Sequence, residues 1–202
     1  MNEFALIQKY FKKLTYNNSS ALDLNDDVFF DKKNSVVIST DTYVEGVHFF
    51  NFRNPDLVIK KIVRSSISDL YCKGVKPKFI FIGACGNNIS FSKKNMDLVY
   101  KSLKQEQKKY KFKLSGGDTT KSNKTVFTIT SLGYAKKIVQ RNKCKNNDDI
   151  YVTGNLGDSY LGLSILRKKS FLKNSKQRKY FIQKYYTPDI PLKIGSKLIK
   201  FA

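Results

Sequence analysis

The chain has 202 residues, enough for one sizeable domain or for one domain and part of another. Hydrophobic residues make up 41% of it and aromatic residues 13%, a globular composition that excludes a low-complexity or repeat protein. Its 38 Lys and Arg against 16 Asp and Glu give a net charge of +22, but the excess is mostly lysine spread along the whole chain, so a nucleic-acid-binding protein is only the alternative interpretation.

The N-terminal segment has the apolar period of an amphipathic helix over residues 3–14, with Phe4, Ile7 and Leu14 on one stripe. It contains Glu3 and lacks the pattern of a secretion signal, and no apolar segment of the chain is long enough to span a membrane. The three cysteines are widely spaced and form neither a zinc pattern nor an even disulfide framework. These features predict a cytoplasmic protein with ordinary thiols.

Carboxylates lie next to two apolar segments in the following part of the chain. Asp26 and Asp27 precede an apolar run, and residues 39–42, which are Ser, Thr, Asp and Thr, follow a short buried strand predicted over residues 36–38. A carboxylate at the end of a buried strand is costly unless a positive group meets it, and a hard metal ion is the natural candidate. A turn or cap at residues 39–42 and an exposed turn at Asp26 are the alternatives.

A helix is predicted from Asn54, the N-cap, and Pro55, the first helical residue, to a stop at Gly74. Asp69 lies in the last part of this helix, where the macrodipole disfavours an acid, so it is a second candidate ligand. Pairing with Lys73, four residues further on, is the alternative.

A second buried strand is predicted over residues 78–86, then a helix over residues 92–110, and a short strand over residues 111–115 that leads into the sequence GGDTT. The two glycines allow a sharp turn and a close approach to a ligand, which would place Asp118 at a strand end. A simple turn is the alternative. With the earlier sites, Asp118 completes four carboxylate positions, and these suggest one shared cation cluster.

The rest of the chain predicts an incomplete second unit. A strand is predicted over residues 125–135, after which a polar segment is typical of a linker. A new strand is predicted at residues 150–154, then a helix over residues 157–166 and two further amphipathic segments, over residues 176–186 and 190–202. The fold class is therefore α/β (α+β), with an N-terminal sheet-and-helix domain over residues 1–137, a linker over 138–148 and an incomplete C-terminal α/β lobe over 149–202.

Four segments, in the order STDTYVEGVHFF, SISDLYCKGVKP, LSGGDTT and IYVTGNLGDSYLGLSIL, resemble the thiamine-monophosphate kinase family of the aminoimidazole-ribonucleotide-synthetase-like superfamily. The resemblance runs from Glu3 to about Ile199. It implies ATP-dependent phosphorylation of thiamine monophosphate to thiamine diphosphate by direct in-line transfer assisted by several Mg²⁺ ions. It also implies a homodimer formed through the N-terminal sheet, and no residue acting as a covalent or acid–base catalyst.

The resemblance also assigns roles to individual residues, by motif. The implied Mg²⁺ ligands are Asp27, Ser39, Thr40, Asp41, Asp69 and Asp118. The implied ATP contacts are Tyr110, Gly117, Asp118 and Arg141, and the implied contact to the thiamine phosphate is His48. The histidine is the only one in the chain, and a packed or hydrogen-bonded histidine is the alternative to this role.

Two departures from the family pattern affect these expectations. Asn25 stands where the family usually has glycine, although Asn tolerates left-handed backbone conformations. Family members continue beyond the position of Ala202 into segments that complete the nucleotide and thiamine sites. We therefore expect residues 1–202 alone to form little or no thiamine diphosphate. A related ATP-dependent synthetase of the same superfamily and an inactive product of a broken gene are the alternatives.

Overall fold

The computed structural model describes residues 1–142, 144–169, 172–195 and 197–200. The strands are β1 (Phe29–Asp31), β2 (Val36–Val44), β3 (Pro77–Gly86), β4 (Lys113–Lys121) and β5 (Val126–Tyr134). The α-helices are α1 (Glu3–Leu6), α2 (Pro55–Cys72), α3 (Lys93–Tyr110), α4 (Asp158–Leu166), α5 (Ser175–Tyr186) and α6 (Leu192–Gly195). Shorter π and 3₁₀ turns cover Ile7–Phe11, Lys12–Thr15, Ser19–Leu24 and Leu198–Lys200.

The five strands form one mixed sheet in the order β1-β2-β5-β3-β4. β2 pairs antiparallel with both β1 and β5, and β3 pairs antiparallel with β5. β3 and β4 are parallel, and the helix between them, α3, makes the long crossover that a parallel pair needs. The predicted α/β class is confirmed.

One face of the sheet packs against α2 and α3 and forms the main core. Alternate residues of the central strands point to this face, among them the fully buried Val37, Ile80 and Ile129. The apolar stripe of α2, which includes Ile62 and Ile67, is fully buried against these strands. Burying each such side chain contributes about 1.5–3 kcal/mol, so this helix–sheet contact fixes the position of α2 over β2 and β5.

The opposite face of the sheet is more open. Threonine pairs cross from β2 to β5 on this face, where Thr40 bonds Thr130 and Thr42 bonds Thr128, each at 3.0 Å between hydroxyl oxygens. Such cross-strand pairs stabilise a sheet by a few tenths of a kcal/mol to about 1 kcal/mol each. Phe81 of β3 is 39% exposed. The face therefore combines polar pairs with uncovered aromatic surface.

Two strand predictions were too short. β2 continues through residues 39–42 to Val44, because it is paired with β5 along its whole length. β4 likewise continues through the GGDTT sequence, paired with β3 from Lys113 to Lys121. Asp41 and Asp118 therefore lie within strands and not at strand ends. An apolar run in the sequence does not reveal the full length of these strands, because their polar residues belong to the sheet through backbone pairing with the neighbouring strand.

Gly117 illustrates how closely β3 and β4 approach one another. Its φ is +155°, and a Cβ atom at this position would lie 1.9 Å from the carbonyl oxygen of Ile82 on β3. The glycine is therefore required by the neighbouring strand, whereas the sequence explained it by a turn and a close approach to a ligand.

The predicted helices are largely confirmed, but one C-terminal strand is wrong. α2, α3, α4 and α5 match their predicted positions within a few residues. Residues 150–154, predicted as a strand, pair with none of the described strands, and Ile150 is 92% exposed. The last predicted amphipathic segment contains α6 and a 3₁₀ turn, while Ser196, Phe201 and Ala202 lie outside the described residues. Among the described helices, none is long and apolar enough to cross a membrane.

Candidate metal and phosphate site

Three of the predicted ligands meet where the end of α2 lies over β2. Ser39 and Asp41 alternate along β2 and point to the helix-covered face, as does Tyr43. The Ser39 hydroxyl donates a hydrogen bond to Asp69 Oδ2 on α2 at 3.0 Å, and the Tyr43 hydroxyl donates to Asp41 Oδ2 at 3.0 Å. Two half-buried carboxylates are thus held side by side by neighbouring hydroxyls.

The electrostatics of this pair are unusual. Burial raises the pKa of the Asp69 carboxyl to about 7, and the negative charge of the adjacent Asp41 acts in the same direction. The Ser39 hydroxyl lowers that pKa by hydrogen bonding, while the charge of Asp27 and a hydrogen bond with Asp41 raise it further. Near neutral pH, the pair therefore attracts either a proton or a cation.

Asp27 lies near this pair but is bound to cationic side chains. Arg141 Nη1 donates to Asp27 Oδ1 at 3.0 Å, and Lys73 Nζ lies 3.7 Å from Asp27 Oδ2. Lys73 Nζ is only 2.5 Å from Asp26 Oδ1. The alternative in which Lys73 pairs with Asp69 is therefore wrong: the lysine turns to the Asp26–Asp27 loop, 47 residues away in sequence, and leaves Asp69 to Ser39 and Asp41.

Thr40 and Asp118 lie apart from this group. Thr40 points to the opposite face of β2, where it bonds Thr130. Gly117 on β4 lies in line with Asp41 on β2 across the sheet, with β5 and β3 between them. Asp118 is the next residue of β4. Three strand spacings amount to about 14 Å, and Asp118 points to the other face of the sheet. Within one chain, the structure does not bring Asp118 to Asp41.

The remaining predicted contacts occupy three different places. Arg141 lies beside Asp27, as described above. His48 is exposed beyond the end of β2 and accepts a hydrogen bond at Nδ1 from the Val44 amide at 3.0 Å, about 16 Å along the strand from Ser39. Tyr110 is buried at the end of α3, and its hydroxyl has no hydrogen-bond partner among the described residues. Its ATP role and that of Gly117 stay predictions.

Sequence reasoning missed Tyr43 and the acidic partners of Lys73. Tyr43 could have been found from the strand alternation, because it follows Asp41 by two residues and so shares its face. Lys73 gave no such signal, since its partners come from a loop far away in sequence.

A magnesium ion requires several oxygen ligands around one position. Among the described residues, no group of three or more His, Cys, Asp or Glu side chains is close enough to share one metal ion. The predicted cluster of four aspartates is therefore not assembled within one chain. Asp41 and Asp69 alone do fit a hard divalent cation, because they supply carboxylate oxygens whose mutual repulsion a cation would relieve.

The raised pKa of Asp69 predicts how the stability of the metal-free protein depends on pH. The folded state keeps this carboxyl protonated up to about pH 7, whereas the unfolded chain releases the proton near the ordinary value of 3.8. The folded state thus binds more protons between these values, so the free energy of unfolding falls as pH rises through that window. We expect Asp69→Asn to remove this part of the slope, measured as melting temperature from pH 5 to 8 in EDTA.

Asp97 supplies the control for that measurement. It is an exposed residue of α3 paired with Lys93, so Asp97→Asn keeps the slope of the parent. If the melting temperatures of the parent and Asp69→Asn differed by the same amount at every pH, the raised pKa of Asp69 would be contradicted.

The sheet with helices on one face and the acid pair between β2 and α2 define a class of protein. Residues 23–135 match the family model described as AIR synthase related protein, N-terminal domain. Because the match covers more than half of the chain, the chain belongs to the AIR synthase related family, which confirms the superfamily predicted from the sequence motifs.

The relatives are more specific. The chain is similar to thiamine-monophosphate kinases from two Buchnera aphidicola strains, at 38% identity over 93% of this chain and 59% of the relative (Schizaphis graminum), and at 35% over 99% and 63% (Acyrthosiphon pisum). Among solved structures it is similar to AaThiL complexed with AMPPCP and TMP, at 25% identity and a TM-score of 0.83, covering 97% of this chain and 62% of that one. The chain thus spans about three fifths of the length of the relatives it matches.

Proposed function

We propose that this protein takes part in the ATP-dependent phosphorylation of thiamine monophosphate to thiamine diphosphate, with Mg²⁺ as the metal, in the cytoplasm. The observation that carries the proposal is the pairing of Asp41 with Asp69, near an Asp27 that Arg141 holds, on a fold that AaThiL shares in a form solved with AMPPCP and TMP. Carboxylates able to hold metal ions, with a cationic side chain available for a phosphate, suit the transfer of a phosphoryl group.

The residues of this chain have distinct parts in that reaction. Asp41 and Asp69 would hold Mg²⁺, which when bound neutralises the charge of the transferring phosphoryl group. The Ser39 hydroxyl keeps Asp69 oriented, and Tyr43 does the same for Asp41. Arg141 offers a planar guanidinium for a phosphate once it leaves Asp27. No general base is needed, because the attacking oxygen of thiamine monophosphate is already an anion.

The other predicted contacts and units are kept as parts of the proposal. They comprise the further Mg²⁺ ligands inferred by motif, which are Asp27, Ser39, Thr40 and Asp118, and the nucleotide and substrate contacts inferred by motif, which are Tyr110, Gly117, Asp118 and His48. They also include the division into a domain over residues 1–137, a linker over 138–148 and a lobe over 149–202. The match of the family model to residues 23–135 supports the first boundary.

The open face of the sheet supports the proposed homodimer. Phe81 is 39% exposed and Tyr134 is 54% exposed there, and uncovered aromatic surface is typical of a protein–protein interface. We expect sedimentation velocity to show a species of twice the chain mass. A single species of 23.3 kDa at micromolar concentration would contradict the dimer.

The function is tested by measuring thiamine diphosphate by chromatography after incubation with ATP, Mg²⁺ and thiamine monophosphate. Because the chain spans about three fifths of its relatives, the assay is run on the chain alone and on the chain co-expressed with the part of a relative that it does not match. We expect little product in the first case and turnover in the second, with none from unphosphorylated thiamine. Absence of product from both preparations would overturn the proposal.

A further inference from the structure

Lys73 is a buried cation inside an acidic region. Its side chain is 4% exposed, and that of Asp26 is 6% exposed. Its Nζ contacts Asp26 Oδ1 at 2.5 Å and lies 3.7 Å from Asp27 Oδ2. Burying an ammonium group is costly unless it is paired, so this lysine is held in place by the two aspartates.

The backbone fixes the lysine at this position. Lys73 is the C-cap residue of α2, where the helix dipole favours a positive charge. Its carbonyl oxygen accepts a hydrogen bond from the Val139 amide at 3.2 Å. Asp26 is equally constrained, because Oδ1 accepts the Asp27 amide at 2.8 Å and Oδ2 accepts the Arg141 amide at 3.2 Å. The pair therefore joins α2, the Asp26–Asp27 loop and the segment after β5.

Lys73 changes how many bound cations the acidic region needs. Without Lys73, the two adjacent aspartates would add negative charge beside the Asp41–Asp69 pair, and such a group is stable only with bound cations. With Lys73 in place, Asp26 is neutralised and Asp27 is partly neutralised. The covalently attached ammonium therefore supplies one of the positive charges that metal ions would otherwise supply.

We propose that Lys73 is a built-in counter-ion of the metal site, which positions the Asp26–Asp27 loop without metal and lowers the affinity of the acidic region for Mg²⁺. This inference rests on the proposed function for the identity of the cation. Lys73 is a positioning residue: it does not touch the reacting groups but decides which carboxylates are free to bind an ion. We therefore expect weaker Mg²⁺ binding, and a smaller rise in melting temperature with Mg²⁺, than a set of unpaired aspartates would give.

The test is calorimetric titration of the metal-free protein with MgCl₂, combined with melting temperatures in EDTA and in Mg²⁺. Lys73→Met keeps an unbranched side chain as far as Cε and removes the charged ammonium group. We expect it to lower the melting temperature in EDTA, to tighten Mg²⁺ binding about tenfold because a nearby positive charge is lost, and to enlarge the rise in melting temperature that Mg²⁺ causes. Lys73→Arg should behave as the parent does.

Lys76→Met is the matched control, because Lys76 is an exposed lysine three residues further on. Should Lys73→Met fail to fold, Lys73→Gln replaces it, since the amide can still donate a hydrogen bond to Asp26. A lower melting temperature with unchanged Mg²⁺ affinity would mean that Lys73 is only structural and would overturn the inference. The measurement contains no nucleotide or thiamine, so its failure is distinct from failure of the proposed kinase function.

Discussion

Asp41→Asn is expected to abolish most of the response of the protein to Mg²⁺. In the preparation co-expressed with the part of a relative that the chain does not match, it is expected to reduce thiamine diphosphate formation by about 100-fold or more. Asp41 is next to Asp69, and their repulsion is what a cation relieves. In the parent, Mg²⁺ at ten times its Kd adds about 1.4 kcal/mol to the free energy of unfolding, or about 3–6 °C in melting temperature. The loss of turnover follows because a group that neutralises transition-state charge typically contributes about 100-fold to 1000-fold.

The stability of the metal-free protein gives a second measurement on the same variant. Removing the Asp41 charge relieves the repulsion on Asp69, so Asp41→Asn should be at least as stable as the parent in EDTA. Asp97→Asn, which removes an exposed carboxylate on α3, should keep both the Mg²⁺ response and the turnover. If Asp41→Asn responded to Mg²⁺ as fully as the parent, Asp41 would not be a ligand.

Arg64→Met is expected to lower the free energy of unfolding by about 3–5 kcal/mol, measured by urea denaturation. Arg64 and Glu106 have side chains that are only 9% and 2% exposed, and they form two hydrogen bonds of 2.8 and 2.9 Å between α2 and α3. Arg64 Nη1 also donates to the Pro188 carbonyl at 3.3 Å, in the segment after α5. The variant leaves the Glu106 charge buried without a partner, which accounts for most of the loss.

A double variant separates the cost of a buried unpaired charge from the stability that the ion pair itself contributes. Arg64→Met with Glu106→Leu removes both charges, so we expect it to recover most of the lost stability, since a buried pair replaced by apolar residues is often near neutral. Lys93→Met breaks an exposed pair with Asp97 on α3 and should change stability by less than about 0.5 kcal/mol. If the double variant were as unstable as Arg64→Met, an unpaired charge would not explain the loss.

Helices and candidate ligands could be predicted from the sequence to a large extent. The bounds of α2 and α3 follow from Asn54, Pro55 and the apolar period, which are local signals. The candidate ligands Asp41 and Asp69 follow from carboxylates placed next to apolar residues, since such placement is costly without a partner. The lengths of β2 and β4 could not be predicted in the same way, because polar residues within them are held by pairing with neighbouring strands.

The sequence by itself determined the family, the main helices and the candidate residues for binding a cation, because each depends on side chains close together in the chain. Only the tertiary structure decided which of these residues meet. The crossing of α2 over β2 brings Asp69 to Ser39, 30 residues away, and directs Lys73 to Asp26. The strand order places two strands between Asp41 and the strand of Asp118. Strand order and register are set by long-range packing, which the local periodicity of a sequence does not contain.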